Sequence, residues 1–298
     1  MYHGIINVYK EAGYTSHDVV AKLRGICKQK KIGHTGTLDP MATGVLPLFF
    51  GGATKVCSVL QNEDKRYVAE IKFGITTDTE DTTGKILSET PSCVTEEEFR
   101  KVAASFVGDI LQTPPMYSAV KVGGRPLYDL ARRGQEVERA QREIKVYSVS
   151  VLKFDAGAQT AKIEVFCGKG TYIRTLIADM GAALGCGAAM SNLRRTEAGG
   201  FRIEECLTLE EACALAAEGR LEEKLISAER LFDGLPRLDL CEYDARLYKN
   251  GVPLELKKRG WGGVSGDIAV YGGGKLLGIS YMDEEAGELR LRKMLNLE

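Results

Sequence analysis

The N-terminal part of the chain alternates between apolar runs of strand length and one helical stripe. Residues 5–8 and 45–50 are apolar runs typical of buried strands, and residues 66–73 alternate with the period of two of a half-buried strand. A helix is predicted from about Ser16, a suitable N-cap with Asp18 in the first turn. One face of this helix is apolar and consists of Val19, Val20, Leu23 and Cys27.

Further elements follow in no simple repeat. Capping boxes predict helix starts at Thr95 and at Thr208. Residues 144–154 and 161–167 favour strands, and residues 171–184 favour a helix that is closed by Gly185. This irregular mixture of strands and helices is typical of an α+β fold.

The pattern of apolar residues and glycines changes after Pro236. Residues 237–298 contain short apolar runs separated by glycines, which is typical of a small β-rich unit. We therefore expect a larger α+β domain at residues 1–236 and a smaller β-rich domain at residues 237–298.

Composition narrows the class of protein. Of the 298 residues, 44% are hydrophobic and 27% are charged, as in an ordinary globular protein. No apolar run has the length of a membrane span, and the first residues do not resemble a signal peptide, so we expect a cytoplasmic protein with no membrane partner. The eight cysteines form no Cys-x-x-Cys pair, and none of the three histidines has zinc-site spacing to such a pair. A metal site is therefore not expected.

Charge gives a weaker indication of a partner. The net charge of −1 does not indicate a nucleic-acid-binding protein. Residues 1–60, however, hold seven basic and three acidic side chains, a local balance of +4. Such a face can bind phosphates, although a solvated helix surface explains it equally well.

The segment with the most chemical information is 33–44, Gly-His-Thr-Gly-Thr-Leu-Asp-Pro-Met-Ala-Thr-Gly. It places one carboxylate, Asp39, inside a glycine-rich loop next to Pro40. Glycines permit tight turns and close approach of a ligand, and the proline restricts the backbone beside the carboxylate. On the residues alone, an ordinary Asp-Pro turn that begins at Asp39 is the slightly favoured interpretation.

This segment resembles the catalytic motif G-x-L-D-P-x-A-T-G of the bacterial tRNA pseudouridine-55 synthase family, usually called TruB, whose catalytic aspartate falls on Asp39. Other segments resemble motifs of that family in the same order: Lys65-Arg66-Tyr67 with Thr77-Asp78-Thr79, the run 114–121 (Pro-Pro-Met-Tyr-Ser-Ala-Val-Lys), the run 169–176 (Lys-Gly-Thr-Tyr-Ile-Arg-Thr-Leu), and Leu193-Arg194-Arg195. The resemblance covers roughly residues 4–201. It departs at Lys10-Glu11, where the family often has Lys-Pro.

The resemblance implies a pseudouridine-synthase catalytic domain, with a mixed, mainly antiparallel sheet flanked by helices. It also implies an RNA-clasping insertion at about 121–145. The C-terminal residues 237–298 resemble a PUA-type RNA-binding domain only in their position and β-rich texture.

The resemblance also implies roles for individual residues. They are Asp39 for catalysis, Arg174 for pairing with Asp39, Tyr67 for stacking on the target base, Tyr172 and Leu193 for the pocket walls, and His34 for the space vacated by the base. On the residues alone, the tyrosines and Leu193 could be core, Arg174 could be a surface arginine, and His34 could be an ordinary loop histidine.

The implied activity is conversion of U55 in the T-loop of tRNA to pseudouridine. The base would be flipped into a pocket and isomerised with an essential aspartate and no cofactor. The expected partner is the tRNA T-stem loop, with no obligate protein partner and a monomeric enzyme. Three alternatives remain: an enzyme acting within a guide-RNA complex, a non-catalytic RNA-folding module, and a glycosidase with paired carboxylates.

Overall fold

A mixed β-sheet forms the larger part of the molecule. The computed structural model describes residues 1–57 and 64–295, and ten of the strands described there belong to this sheet. With strands numbered along the chain, these are β1 (Gly4–Lys10), β2 (Ile32–His34), β3 (Thr43–Phe50), β4 (Lys65–Phe73), β7 (Gly108–Gln112), β10 (Arg142–Asp155), β11 (Thr160–Cys167), β12 (Ala188–Ala198), β13 (Phe201–Arg202) and β14 (Leu207–Thr208).

The main path of the sheet runs β14-β1-β3-β12-β4-β11-β10-β7, with β2 paired to β3 and β13 paired to β12. The β1–β14 and β3–β12 pairs are parallel, and the other pairs in this sheet are antiparallel. The expected mixed, mainly antiparallel sheet is therefore confirmed.

Two small hairpins and six α-helices are described besides the large sheet. The hairpins are β5 (Ile75–Thr77) with β6 (Ile86–Glu89), and β8 (Lys121–Val122) with β9 (Arg125–Pro126). The helices are α1 (Ser16–Cys27), α2 (Glu96–Ser105), α3 (Leu127–Arg132), α4 (Ile173–Ala183), α5 (Leu209–Ala217) and α6 (Glu242–Lys249).

Helices cover the large sheet in two groups, one on each half of the sheet. Each helix buries its apolar face against the sheet. Helices α2 and α4 pack on the β4–β11–β10 half, where the rings of Phe73 and Phe99 meet edge to face with centroids 5.1 Å apart. Helices α1 and α5 pack on the β1–β3 half, around Val8, Leu23 and Leu209.

The predicted helix starts at Thr95 and Thr208 are confirmed, since each forms a capping box with the residue three positions later. The predicted N-cap at Ser16 is wrong by one residue. Thr15 is the N-cap, and its hydroxyl accepts a hydrogen bond from the Asp18 amide. Ser16 is buried instead, and its Oγ accepts a hydrogen bond from the Leu38 amide at 2.9 Å.

The C-terminal part forms a five-stranded sheet in the order β15-β17-β18-β19-β16, so the expected β-rich domain is confirmed. Its strands are β15 (Arg237–Leu240), β16 (Leu254–Glu255), β17 (Asp267–Gly272), β18 (Lys275–Asp283) and β19 (Glu288–Met294). The boundary at residue 236 stays a prediction.

One apolar cluster spans both sheets. Ala269, Tyr271 and Ile279 of the small sheet are buried in one cluster with Val45 and Phe49 of β3. The small sheet therefore covers an apolar surface of the large one, and we expect the two parts to stabilise each other.

This contact leads to a stability prediction. Ile279→Ala should lower the free energy of unfolding by about 2–5 kcal/mol, as is usual for a buried Ile-to-Ala change. Amide hydrogen exchange in β1 and β3 should also become faster. The matched control is Val270→Ala, which lies in the separate core of the small sheet. Unchanged exchange in β1 and β3 of the Ile279 variant would show that the two parts are stable independently.

Candidate active site around Asp39

The loop that carries Asp39 is fixed on both sides of this residue. The amide of Leu38 donates to Ser16 Oγ at 2.9 Å, which ties the loop to the start of α1. The carbonyl of Pro40 accepts from the Gly13 amide at 2.9 Å and from Lys10 Nζ at 3.2 Å. The backbone at Asp39 therefore has a defined position before any ligand binds.

Lys10 is fully buried and uses its three ammonium protons on backbone carbonyls. Besides Pro40, it donates to the carbonyls of Glu11 at 3.0 Å and Tyr14 at 2.6 Å. Burial lowers the pKa of Lys10 to about 8, although the nearby Asp39 carboxylate acts in the opposite direction. Since the Glu11 contact uses only a backbone carbonyl, the replacement of the family's proline by Glu11 leaves this anchor intact.

Asp39 forms an ion pair with Arg174. Arg174 Nε lies 2.9 Å from Asp39 Oδ2, and Arg174 Nη2 donates to Asp39 Oδ1 at 3.2 Å. This is the two-point geometry in which a guanidinium holds a carboxylate most firmly. The pairing of Asp39 with Arg174 that the sequence implied is present in the structure.

The rest of the Arg174 side chain is held by backbone carbonyls. Nη1 donates to the Thr79 carbonyl and Nη2 to the Tyr117 carbonyl, each at 2.9 Å, and the Asp81 carboxylate lies 4.0 Å away. Only 5% of the Arg174 side chain is exposed, so the interpretation as a surface arginine is wrong. Its position at the start of α4 places it between three separate loops.

Asp39 remains accessible even though it is paired. Its side chain is 34% exposed, whereas that of Arg174 faces the interior. Burial raises the pKa of Asp39; the charge of Arg174 opposes this, and the neighbouring Asp81 carboxylate adds to the increase. The site therefore presents a carboxylate that a ligand can reach and that binds a proton more readily than an ordinary aspartate.

Tyr67 and Leu193 lie on the adjacent strands β4 and β12. They are 7% and 5% exposed and share an apolar cluster with Leu38 and Ile173, which flank the Asp39–Arg174 pair in sequence. Burial raises the pKa of Tyr67, so its hydroxyl is protonated at neutral pH. Both residues therefore pack in the core, in the same cluster as the residues that adjoin Asp39 and Arg174 in the chain.

Tyr172 and His34 lie at the ends of elements. Tyr172 is the N-cap residue of α4, and its backbone amide and carbonyl both bond to the Gln112 side chain, at 2.8 and 3.1 Å. His34 ends β2, and its buried Nδ1 has no partner among the described residues. Burial, followed by the charge of Arg195, lowers the pKa of His34, so its ring is neutral at neutral pH.

Comparison with known proteins decides the family. Residues 24–173 match the family model described as "TruB family pseudouridylate synthase (N terminal domain)", and residues 174–233 match "tRNA pseudouridylate synthase B C-terminal domain". The chain belongs to the TruB family of pseudouridylate synthases. The resemblance seen in the sequence motifs is thereby confirmed.

Curated relatives of this TruB-family chain cover most of its length. A protein of Clostridium tetani is 47% identical over 257 residues, which is 86% of this chain and 87% of the relative. A protein of Ralstonia nicotianae is 42% identical over 304 residues, which is 99% of this chain and 95% of the relative. Both are named tRNA pseudouridine synthase B. The TruB-family chain is accordingly an enzyme, an isomerase of the pseudouridine synthase type.

Solved structures support the same fold. A chain in the crystal structure of a Cbf5-Nop10-Gar1 complex superposes with a TM-score of 0.74 at 27% identity, covering 98% of this chain and 85% of the other. A chain of an H/ACA RNP bound to a substrate RNA gives a TM-score of 0.72 at 26% identity, with the same coverage. The TruB-family core and its C-terminal β-rich part therefore occur together in known structures.

Several residues of the TruB-family site were not singled out from the sequence. Thr79 and Tyr117 supply carbonyls to Arg174, and both lie in segments that matched family motifs. Arg195 is fully buried beside the same loop. The sequence pattern that indicates its burial is the alternation along β12, because residue 195 lies on the same face of the strand as the apolar Leu193.

The described residues also bear on two other properties, a metal site and a membrane-spanning helix. Within residues 1–57 and 64–295, no three His, Cys, Asp or Glu side chains are grouped so that they could hold a metal ion. In the same residues, no helix combines the length and apolar character needed to cross a membrane.

The geometry of Arg174 gives a prediction for this TruB-family enzyme. Arg174→Lys retains the charge but loses the two-point contact with Asp39, so the single-turnover rate of pseudouridine formation should fall about 100-fold or more. Arg100→Lys is the matched control, because Arg100 forms an exposed ion pair with Glu96. Equal rates for the two variants would contradict the requirement for the two-point contact.

Proposed function

We propose that this enzyme converts U55 in the T-loop of tRNA to pseudouridine, with Asp39 as the essential carboxylate and without a cofactor. The observation that carries the proposal is the Asp39–Arg174 pair, in which an accessible carboxylate is held by a buried guanidinium. The printed names of the relatives, tRNA pseudouridine synthase B, support tRNA as the substrate class.

The reaction suits a site with a single reactive carboxylate. It breaks the N1–C1′ bond, turns the uracil and forms a C5–C1′ bond; the hydrogen of C5 leaves as a proton, and N1 takes up a proton in place of its bond to the sugar. Since one C–N bond is exchanged for one C–C bond within the same molecule, no external energy source is needed. Asp39 could add to C6, attack C1′ or remove the C2′ hydrogen, and each of these steps requires its ionised form.

The neighbouring side chains support a pocket for an extrahelical base. A base within a folded RNA loop has to leave its stack before an enzyme can reach its sugar bond. We assign Tyr67 to stacking on the base, and Leu193 and Tyr172 to the walls. His34, neutral at the edge of the loop, would fill the space that the base leaves. In this arrangement Asp39 would contact the uridine from one side, while Tyr67, Leu193 and Tyr172 would cover the other sides of the base.

The proposed partner is the tRNA T-stem loop, bound by a monomeric enzyme in the cytoplasm with no obligate protein partner. The segment at about 121–145 supports this choice over action within a guide-RNA complex. In the structure it contains the β8–β9 hairpin and α3, and Arg139 anchors it by donating to the Pro114 carbonyl at 3.1 Å. Exposed Lys28, Lys30 and Lys31 add a basic edge next to the catalytic loop.

The first prediction concerns the carboxylate. Asp39→Asn should abolish turnover and leave tRNA affinity within about threefold, because the amide keeps the shape but loses the charge. Tritium release from C5-labelled uridine measures turnover, and filter binding measures affinity. A transcript with cytidine at position 55 is the matched substrate control. Release from that control at the normal rate would refute U55 as the target.

The second prediction concerns pH. The pKa of Asp39 is raised above the ordinary value of 3.8. As the pH falls, Asp39 should therefore become protonated, and kcat/KM should decline, with a midpoint above pH 3.8. Asp81 contributes to the raised pKa of Asp39, so Asp81→Asn should shift this decline to lower pH. Asp78→Asn, which changes an exposed aspartate of the same loop, should leave it in place. A shift to higher pH with Asp81→Asn would contradict this electrostatic account.

A further inference from the structure

Arg195 is a buried cation at the point where two segments of the active site meet. It lies on β12 and is 0% exposed. No aspartate or glutamate among the described residues forms an ion pair with it. A fully buried arginine without a carboxylate partner is unusual, because burial of an uncompensated charge is unfavourable.

The strand register places Arg195 between the Asp39 loop and Tyr67. On one side it is paired with Gly44, the second residue of β3 directly after the loop, and on the other side with Tyr67 of β4. Gly44 has a φ of +107°, and a Cβ there would overlap the Arg195 carbonyl. The loop therefore lies against β12 at this point more closely than a side chain would permit.

The guanidinium extends under the Asp39 loop. Arg195 Nε donates to the Val45 carbonyl at 2.8 Å, and both atoms are buried. A Cβ on Gly36 would lie 2.9 Å from Arg195 Nη1. The side chain thus bonds to Val45, just after the Asp39 loop, and its guanidinium lies close to Gly36, which precedes Asp39 in the same loop.

The same side chain lies beside Tyr67, because Arg195 and Tyr67 are register partners on β12 and β4. Residues directly opposite each other on neighbouring strands point to the same face of the sheet. Burial raises the pKa of Tyr67, whereas the nearby charge of Arg195 acts in the opposite direction. A guanidinium can only donate, so the Tyr67 oxygen would be the acceptor in a hydrogen bond between the two, and the Tyr67 proton would be left for another group.

A purely structural role does not account for this arrangement. Arg195 Nη2 is buried and has no hydrogen-bond partner among the described residues. A buried donor without a partner destabilises the fold, and an apolar side chain of similar volume would fill the same space. What distinguishes arginine here is its bond to the Val45 carbonyl beside the Asp39 loop and its place opposite Tyr67.

We propose that Arg195 is a positioning residue for pseudouridine formation. It fixes the Tyr67 hydroxyl relative to the Asp39 loop, so that the Tyr67 O–H is directed at the bound base. Arg195 does not itself contact the substrate in this arrangement. The inference rests on the proposed place of Tyr67 in the base pocket and adds the residue that sets its orientation.

A double-mutant cycle with Arg195→Lys and Tyr67→Phe tests the proposal. In the wild-type background, Arg195→Lys should lower the single-turnover rate at saturating enzyme about tenfold or more, with tRNA affinity changed by less than about threefold. In the Tyr67→Phe background the same change should have little effect, because its target hydroxyl is absent. Equal losses in both backgrounds, or no loss in either, would overturn the proposal.

Arg194→Lys is the matched control, since Arg194 is the adjacent arginine on β12 and its side chain is exposed. It should leave the saturated rate unchanged. A loss equal to that of Arg195→Lys would show a general effect of changing β12, which would also overturn the proposal.

A second measurement does not depend on the folding of any Arg195 variant. Nitrogen-15 NMR of the Arg195 guanidinium compares wild type with Tyr67→Phe, and both proteins retain Arg195. The Nη signals should be protected from exchange in the wild type and should shift when the tyrosine hydroxyl is removed. Unshifted signals would overturn the proposal.

Failure of the proposed function would appear separately. If the wild type modified a uridine other than U55, the assignment of the target would be wrong. The coupling of Arg195 to Tyr67 would still be measured on that uridine and by NMR.

Discussion

The ion pair between Asp39 and Arg174 is the constraint on which the rest of the site depends. Because Arg174 is 5% exposed, loss of Asp39 would remove the carboxylate that holds this buried guanidinium at two points and would leave it only the Asp81 carboxylate, 4.0 Å away, which destabilises the fold. The fold therefore has to bring the Asp39 loop, the start of α4, and the carbonyls of Thr79 and Tyr117 to one point. The loops that meet there have no periodic sequence pattern, yet the hydrogen bonds of the Arg174 side chain fix their positions.

Strand β12 makes this convergence possible. It is parallel to β3 and antiparallel to β4, so it joins the half of the sheet that carries the Asp39 loop to the half that carries Tyr67. The parallel contact is short, with Arg194 opposite Thr43 and Arg195 opposite Gly44. Since β3 begins where the Asp39 loop ends, a shift of register at this contact would move Asp39 relative to Tyr67. The geometry of the site is thus set by strand pairing as much as by the loops themselves.

The sequence predicted the elements well where the pattern is local. Capping boxes at Thr95 and Thr208, and the alternation of β4, depend on neighbouring residues only, and the structure has them as expected. The N-cap was misassigned to Ser16 although the local signal was present, since Thr15 and Asp18 form a capping box; the bond of the Ser16 hydroxyl to Leu38, 22 residues away, is the part that no local pattern reveals. Asp39 and Arg174 were found through motif resemblance, whereas on the residues alone a turn aspartate and a surface arginine remained open interpretations. The contact that decides between these interpretations is a tertiary one, since Asp39 and Arg174 are 135 residues apart in the sequence.

The buried cations of the site share a feature that bears on its chemistry. Lys10 donates to three carbonyls, Arg195 to one, and Arg174 to two in addition to Asp39. Carbonyls satisfy hydrogen-bond donors without cancelling their charge, so these three side chains keep cationic groups near Asp39 although the whole chain carries a net charge of −1. The charges of Arg174 and Lys10 favour the ionised form of Asp39 against the effect of burial, and such charges attract a polyanion such as RNA. Further carboxylates beside these cations, in addition to Asp39 and Asp81, would weaken both effects. The use of backbone carbonyls therefore allows a nearly neutral protein to keep a local field suited to a nucleic-acid substrate.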